Sequence, residues 1–487
     1  MERIICRVQT YNWGKQGANS EVARLFAQGH KHFQIDPNQT YAELWMGTHP
    51  DGPAVVERGN VRLSTMIARD DSRSMLSIRS AMSDYSSNNS SDDEKEDIHL
   101  PFIMKIMSIA KTLSLQVHPN KVQANKLHER DPTNYPDRHH KPELAYALTR
   151  FELLCGFRPA DEIYKNMLAF PELREVMGNK NAEKFMILFK KGYSQESTEL
   201  MSALGKAFKY MKLLQNKDPV FVQHQLTSFT SRLRQMTDLS ETALIPDTVQ
   251  VILKMEVDFP GDVGVFGSLY LNHMILQPGE CCYYAPQELH AYLSGECVEC
   301  VGCSNNTIRA SLTPKFKDIE ALCEVVNYRM TDPSYYLVDA NVLPKYEHVT
   351  EYAPDCKDFT LHQIKISKAS TGNVSTLHPL PTLSRGSIVV IVEGSGVVFD
   401  HKPTLAEFNT INSRPYSRGD IFYIPPMQTV TFVQEKGKAE NVLAFRTFSD
   451  EIGPDHSNRN VRPSSLNAVN FTTTTQFRVE QESDGFL

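Results

Sequence analysis

The 487-residue sequence has no apolar run long enough to cross a bilayer; runs such as SIVVIVEGSG stop after a few residues, far short of the ~20 that a spanning helix needs. Its start, MERIICRVQTYNWGK, lacks the apolar core of a secretory signal. A membrane partner is therefore not expected, and the cytoplasm is the expected compartment. Nine cysteines form an odd set in a chain without such a signal, which argues for reduced thiols and against a disulfide framework. The C-x2-C-x2-C spacing of Cys297, Cys300 and Cys303 lacks the fourth cysteine followed by proline that a ferredoxin-type cluster uses. In a strand, that spacing sends successive side chains to opposite faces, so these three are read as small buried apolar residues. Nor is there a basic excess. Lys and Arg number 51 against 58 Asp and Glu, for a net charge of -7, which excludes a general nucleic-acid-binding role. Any phosphate site must be built from individual lysines and arginines. The only two tryptophans, Trp13 and Trp45, are read as core anchors rather than sugar-stacking platforms.

What is present points to two or three folded units, since the chain is too long for one ordinary core. Short β-type runs open it, punctuated by Pro50-Asp51-Gly52-Pro53. Between Asp70 and Asp97 the composition turns to Ser, Asn, Asp and Glu, too polar to bury a core, and is read as a mobile surface insert. From about Ala160 the period becomes helical: Leu200, Leu204, Ala207, Phe208 and Met211 fall on one face, as do Val222, Leu226, Phe229, Leu233 and Met236. The β pattern returns near Phe259 and again after Pro344. An internal echo links GECCYYAP, from Gly279, with GDIFYIPP, from Gly419, and suggests two related β units. Past the proline the first copy carries His290. The second offers Thr429 or Val430, depending on which proline is aligned.

The run SLQVHPNK places Gln116 and His118 two apart, so on a strand both side chains leave one face. With Glu143 in HKPELA and His290 in PQELHAY, the chain offers two imidazoles, a carboxylate and an amide oxygen, a donor set that suits zinc. Spacing alone is a weak signal, because a lone histidine or a glutamate after proline is more often a surface or cap residue than a ligand. Lys105 interrupts the apolar run PFIMKIMSIA and is hard to bury without an anion.

The ordered strings YNWGKQG, LPFIMKIMSIAKTLSLQVHPNK, HHKPELAYAL and LHAYLSGECVECVGCSNNTIRASLTPKFKD resemble the type I mannose-6-phosphate isomerase family of the cupin superfamily. The likeness runs from residue 11 to about 330 and is weaker beyond. It implies a mainly β fold with an α-helical domain, that is, cupin-type jelly-roll β-barrels plus a helical insertion. The expected division is a catalytic β unit over 1–157 and 258–330, with the insert at 71–97. A helical domain over 158–257, a C-terminal cupin-like β unit over 331–449 and a polar tail over 450–487 complete it. It further implies one zinc ion per chain on Gln116, His118, Glu143 and His290, a catalytic Arg309, and a phosphate pocket near Ser114, Lys105 and Lys315. The implied activity is interconversion of mannose 6-phosphate and fructose 6-phosphate, feeding GDP-mannose and glycosylation pathways. The implied partner is a small sugar phosphate, and a monomer is expected.

Such chemistry moves a proton between C1 and C2 through an enediolate whose negative charge needs a cation close by, and Arg309 stays cationic. It also needs a base, for which Lys141, His140 and Glu299 are the candidates. Neighbouring cations would favour the uncharged form of Lys141 and make a carboxylate such as Glu299 a weaker base. Two positions depart from the family pattern: Asn305, where many relatives have Asp, and Ser311, where many have Gly. The first cannot shuttle a proton, and the second adds a side chain near Arg309. Another metal-dependent cupin enzyme and a non-catalytic cupin that keeps the metal and binds sugar phosphate are the competing readings.

Overall fold

The strand Phe102–Ile109 is buried along its whole length, as the apolar run around Lys105 requires of a strand covered on both faces. It lies in a ten-stranded antiparallel sheet in the order 271–276, 151–157, 290–302, 102–109, 43–46, 7–9, with 143–147, 281–284, 115–117 and 308–311 joined at its side. The computed structural model describes residues 1–69, 100–367, 376–401, 413–434 and 441–449. The expected insert at 71–97 and the polar tail from 450 lie outside the described residues.

His290–Gly302 is the spine of this sheet, pairing along its length with four other strands. Gly295 lets it turn from one set of partners to the other. Its φ is +109°, and a Cβ there would sit 2.5 Å from the Arg150 carbonyl oxygen, so no side chain is tolerated at the bend.

Six helices occupy the stretch from Ala160 to Asp258. Proline opens three of them, at Pro171, Pro219 and Pro246, where its missing N–H costs nothing. The side chains of Ser197 and Asp218 accept from Leu200 and Phe221 N–H groups and cap the two longest helices. Leu200, Leu204, Ala207, Phe208 and Met211 are buried on one face and Val222, Leu226, Phe229 and Leu233 on another, in a single core with Leu115, Val117, Ile308 and Ala310. The helices thus back the two short strands 115–117 and 308–311. No helix among the described residues is long and apolar enough to cross a membrane.

The C-terminal strands form a four-stranded sheet and six strands of a nine-stranded one, whose other three are the N-terminal strands 2–5, 55–56 and 61–62. The first strand of the chain, Glu2–Ile5, pairs with Ile421–Ile424 through Glu2↔Tyr423 and Arg3↔Phe422. Its other half pairs with Val55–Val56, so it extends the C-terminal sheet and not the sheet around the candidate site, with Ile4 in one core with Leu44, Phe102, Leu361 and Ile388.

The internal echo has a backbone counterpart. Gly279 and Gly419 both have positive φ, +101° and +89°, and so do Gln287 and Met427, at +80° and +61°. This aligns Pro286 with Pro426 and puts Val430 at the place of His290. Strand register extends the match. Glu143 pairs with Tyr284 as Ser387 pairs with Ile424; Glu299 lies between Ala145 and Lys105 as Arg446 lies between Val389 and His362. The second unit thus has Ser, Val and Arg where the first has Glu143, His290 and Glu299.

Candidate metal centre

His118 follows the strand Leu115–Val117, Glu143 opens the strand Glu143–Ala147, and His290 opens the strand His290–Gly302. The sheet brings these three chain-distant positions together. All are buried, and one donor atom from each lies within 4.8 Å of the others. His118 Nε2 is 2.9 Å from Glu143 Oε1, and His290 Nε2 is 3.5 Å from Glu143 Oε2.

The tautomers follow from the second nitrogen of each ring. His118 Nδ1 lies 2.7 Å from the Asn306 carbonyl oxygen and His290 Nδ1 lies 2.9 Å from that of Glu288. A carbonyl only accepts, so both Nδ1 atoms donate. Both Nε2 lone pairs are then turned on the Glu143 carboxylate. Burial, with Lys141 adding to it, lowers the pKa of His118, and burial brings His290 down to about 4, so both rings are neutral at pH 7. Burial pushes Glu143 the other way, but either imidazole whenever it is protonated, together with Lys141, outweighs it and holds the carboxyl well below the usual range. Two lone pairs facing a carboxylate at 2.9 and 3.5 Å repel unless a cation stands among them. His118 Nε2 is accordingly a buried nitrogen with no hydrogen-bond donor. The three residues fit a divalent metal.

Their supports come from further away. Asn306 is fixed by its own amide, which donates to the Asp137 and His139 carbonyls and to Asp137 Oδ1. Glu288 is anchored by Arg329, by Asn327 Nδ2 at 3.1 Å and by the Tyr336 hydroxyl at 2.9 Å. Tyr284 stacks on the His290 ring at 4.3 Å and donates to Glu143 Oε2 at 3.1 Å. These orienting groups had no signal in the sequence, because two of the three act through a backbone carbonyl that every residue type carries.

Gln116 borders the cluster, with its Nε2 3.5 Å from His290 Nε2 and its Oε1 accepting from Ser114 Oγ at 3.1 Å. Its oxygen, the atom expected as a ligand, is thus turned to Ser114, and half a turn of the amide exchanges the two atoms. Arg309 is directly opposite Gln116 in the antiparallel pair 308–311 with 115–117, so the two side chains share a face. The guanidinium is half-buried, with its pKa lowered by burial. Lys141 Nζ is 3.7 Å from Glu143 Oε1. His140, in contrast, turns to Asp358 Oδ1 at 2.8 Å.

Two groups have surroundings that the sequence did not signal. Lys105 is buried, but its anions are carboxylates of the protein: Glu299 at 2.7 Å and Glu43 at 3.6 Å, the latter also bonded by the Trp45 indole. Lys315 is exposed, and no contact among the described residues joins it to Lys105. Glu299, expected to be pulled down by cations, is instead raised: burial, with Glu143 and Glu43 adding to it, outweighs Lys105. Lys105→Met would leave two buried carboxylates without their ammonium. It is expected to lower the unfolding free energy by about 3 kcal/mol in urea titrations, and a loss under about 1 kcal/mol would mean the carboxylates do not depend on it.

The departures from the family pattern are also placed. The Asn305 amide donates to Asp51 Oδ2 at 3.0 Å, and Ser311 Oγ accepts from Lys212 Nζ at 3.1 Å. Cys297 and Cys300 fall into different cores, so they form no shared thiolate site. Trp45 is buried and Trp13 packs against a core.

Fold and cluster together define a cupin-fold protein with a metal-type site inside its ten-stranded sheet. The family described as phosphomannose isomerase type I, catalytic domain, matches residues 1–160. The mannose-6-phosphate isomerase of Bos taurus is 36% identical over 447 residues, covering 91% of this chain and 97% of its own. That of Homo sapiens is 35% identical with the same coverage. Among solved structures, a lysine-to-alanine variant of phosphomannose isomerase from Salmonella typhimurium superposes with a TM-score of 0.69 at 21% identity, covering 92% of this chain and 100% of its own. A mannose 6-phosphate isomerase bound with zinc and yttrium gives 0.65 at 21% identity, covering 92% and 99%. This chain belongs to the type I phosphomannose isomerase family.

Proposed function

We propose that this chain is a zinc-dependent, cytoplasmic aldose-ketose isomerase that interconverts mannose 6-phosphate and fructose 6-phosphate. The reading is carried by two imidazole Nε2 atoms turned on one carboxylate, that of His118 having no donor, beside a guanidinium on the same face. The activity named for its relatives supports it.

Two histidines and a carboxylate suit zinc, and Gln116 adds an oxygen once its amide is turned. Bound there, zinc supplies positive charge to oxygens that become anionic. The chain's own groups account for the rest. Arg309 faces the charge that develops as the C2 proton leaves. Lys141 holds the travelling proton: it borders Glu143 and is partly exposed, whereas Glu299 is closed off by Lys105. Ser114, linked to Gln116, and the exposed Lys315 are the proposed phosphate contacts, and Lys105 is left to neutralise Glu299 and Glu43.

The test is turnover of mannose 6-phosphate by purified protein, before and after a chelator and after zinc is restored. Turnover that the chelator removes and zinc returns is the expected result. A folded, zinc-loaded protein without turnover that still binds the sugar phosphate would move the reading to a non-catalytic binder.

A further inference from the structure

Lys212 lies in the helix Thr198–Lys217, outside the candidate site, and is only 2% exposed. Among the described residues it forms no ion pair with a carboxylate. Its Nζ donates to Ser311 Oγ at 3.1 Å and sits 4.9 Å from the centre of the Phe208 ring. Burial lowers its pKa to about 8 against the opposing pull of Asp262. An ammonium placed in a core for one hydroxyl is expensive, so the position calls for a reason beyond packing.

The reason lies in what Ser311 terminates. The strand Ile308–Ser311 carries Arg309 and, among the described residues, has one neighbouring strand, Leu115–Val117. The register shifts between Arg309 and Ser311, and such a bulge re-aims the side chains beside it. The next residue, Leu312, has φ +56°, a left-handed conformation unfavourable for leucine. A short edge strand that is bulged and leaves through a strained residue does not fix its own geometry. The helix supplies the fixture. Lys212 holds Ser311, and Gln215, a turn further on, accepts from the Val263 N–H at 2.6 Å. The loop that Gln215 grips closes over the same serine, since a Cβ on Gly264 would lie 2.6 Å from Ser311 Oγ. Asp262 in that loop accepts from the Thr313 N–H at 3.4 Å.

We propose that Lys212 is a positioning residue for Arg309: its hydrogen bond to Ser311 fixes the bulged end of the strand, so that a helix behind the sheet sets the aim of the guanidinium in front of it. The proposal rests on the isomerase reading for its kinetic consequence. Lys212 touches no substrate; it acts through the strand.

The test uses the full zinc-loaded chain and the variants Lys212→Met, Ser311→Ala and the double variant. A guanidinium displaced by a fraction of an ångström loses stabilisation of the transition state more than ground-state binding. Each single variant is expected to lower kcat about tenfold, with KM and zinc content within about twofold. The double variant should be no slower than the slower single one, because both changes break one link. A lowered Tm with kcat unchanged would overturn the proposal, and so would multiplicative losses in the double variant. Ser311→Ala removes a hydroxyl alone and decides the case if Lys212→Met does not fold. If the unaltered chain itself shows no turnover, the isomerase reading fails. The proposal is then decided by Arg309 labelling with phenylglyoxal: a severalfold change of rate in both variants supports it, and an unchanged rate overturns it.

Discussion

Glu143→Gln is expected to leave a folded protein that no longer retains metal and no longer turns over mannose 6-phosphate. Glu143 is the one charge common to the cluster, touching His118 at 2.9 Å, His290 at 3.5 Å and Lys141 at 3.7 Å. Glutamine keeps the shape and can still accept from the Tyr284 hydroxyl, but it removes the charge that makes a cation welcome between two neutral imidazoles. Groups that merely orient a ligand cost about 10- to 100-fold in metal affinity when removed, so loss of the carboxylate ligand itself is expected to exceed about 100-fold. Elemental analysis after dialysis against a weak chelator reads this directly. Stability gives a second reading. A metal held at about 1,000 times its dissociation constant adds about 4 kcal/mol to the folded state. Unaltered protein should therefore lose Tm on chelation, while Glu143→Gln should begin low and not respond. A variant that keeps full zinc and full turnover would remove Glu143 from the site.

How much of this was legible beforehand depends on the range of the interaction. The faces built from Leu200 and Leu204, and from Val222 and Leu226, follow from a period of 3.6, which is local. The pairing of Gln116 with His118 on one face follows from a period of 2, equally local. Glu143 and His290 stood out because the motifs around them resemble a family, since nothing in the spacing of 118, 143 and 290 says that the sheet will close them to within 4.8 Å. Burial of Lys105 was legible from the apolar run around it, but its counter-ions Glu299 and Glu43 were not, as they arrive from separate strands. The reversed shift of Glu299 has the same origin, because a carboxylate's environment is set by what stands across the sheet. The strand Glu2–Ile5 went to the far β unit for a reason that its four residues do not carry: a strand records which of its faces is buried, and not against which partner.

Arg309→Ala is expected to lower kcat by about 10²- to 10³-fold, the usual cost of removing one donor aimed at charge that develops in the transition state. The structure makes this a clean substitution. The Arg309 side chain has no ion pair or hydrogen bond among the described residues, so alanine leaves no buried carboxylate exposed and no network cut. Zinc content and Tm should stay near those of the unaltered chain, in contrast to Glu143→Gln, which removes metal and activity together. The distinction separates two kinds of cation in the site, one held by His118, Glu143 and His290 and one fixed to the strand Ile308–Ser311. Arg309→Lys is informative beside it. A lysine restores the charge without the planar fork, so recovery of most of the lost rate would mean that field strength alone is needed, whereas a loss as deep as that of alanine would mean that two donors with fixed geometry meet the substrate. A fall in kcat below about tenfold for Arg309→Ala would show that the guanidinium does not face the reacting atoms; the charge of the enediolate would then rest on the metal and Lys141.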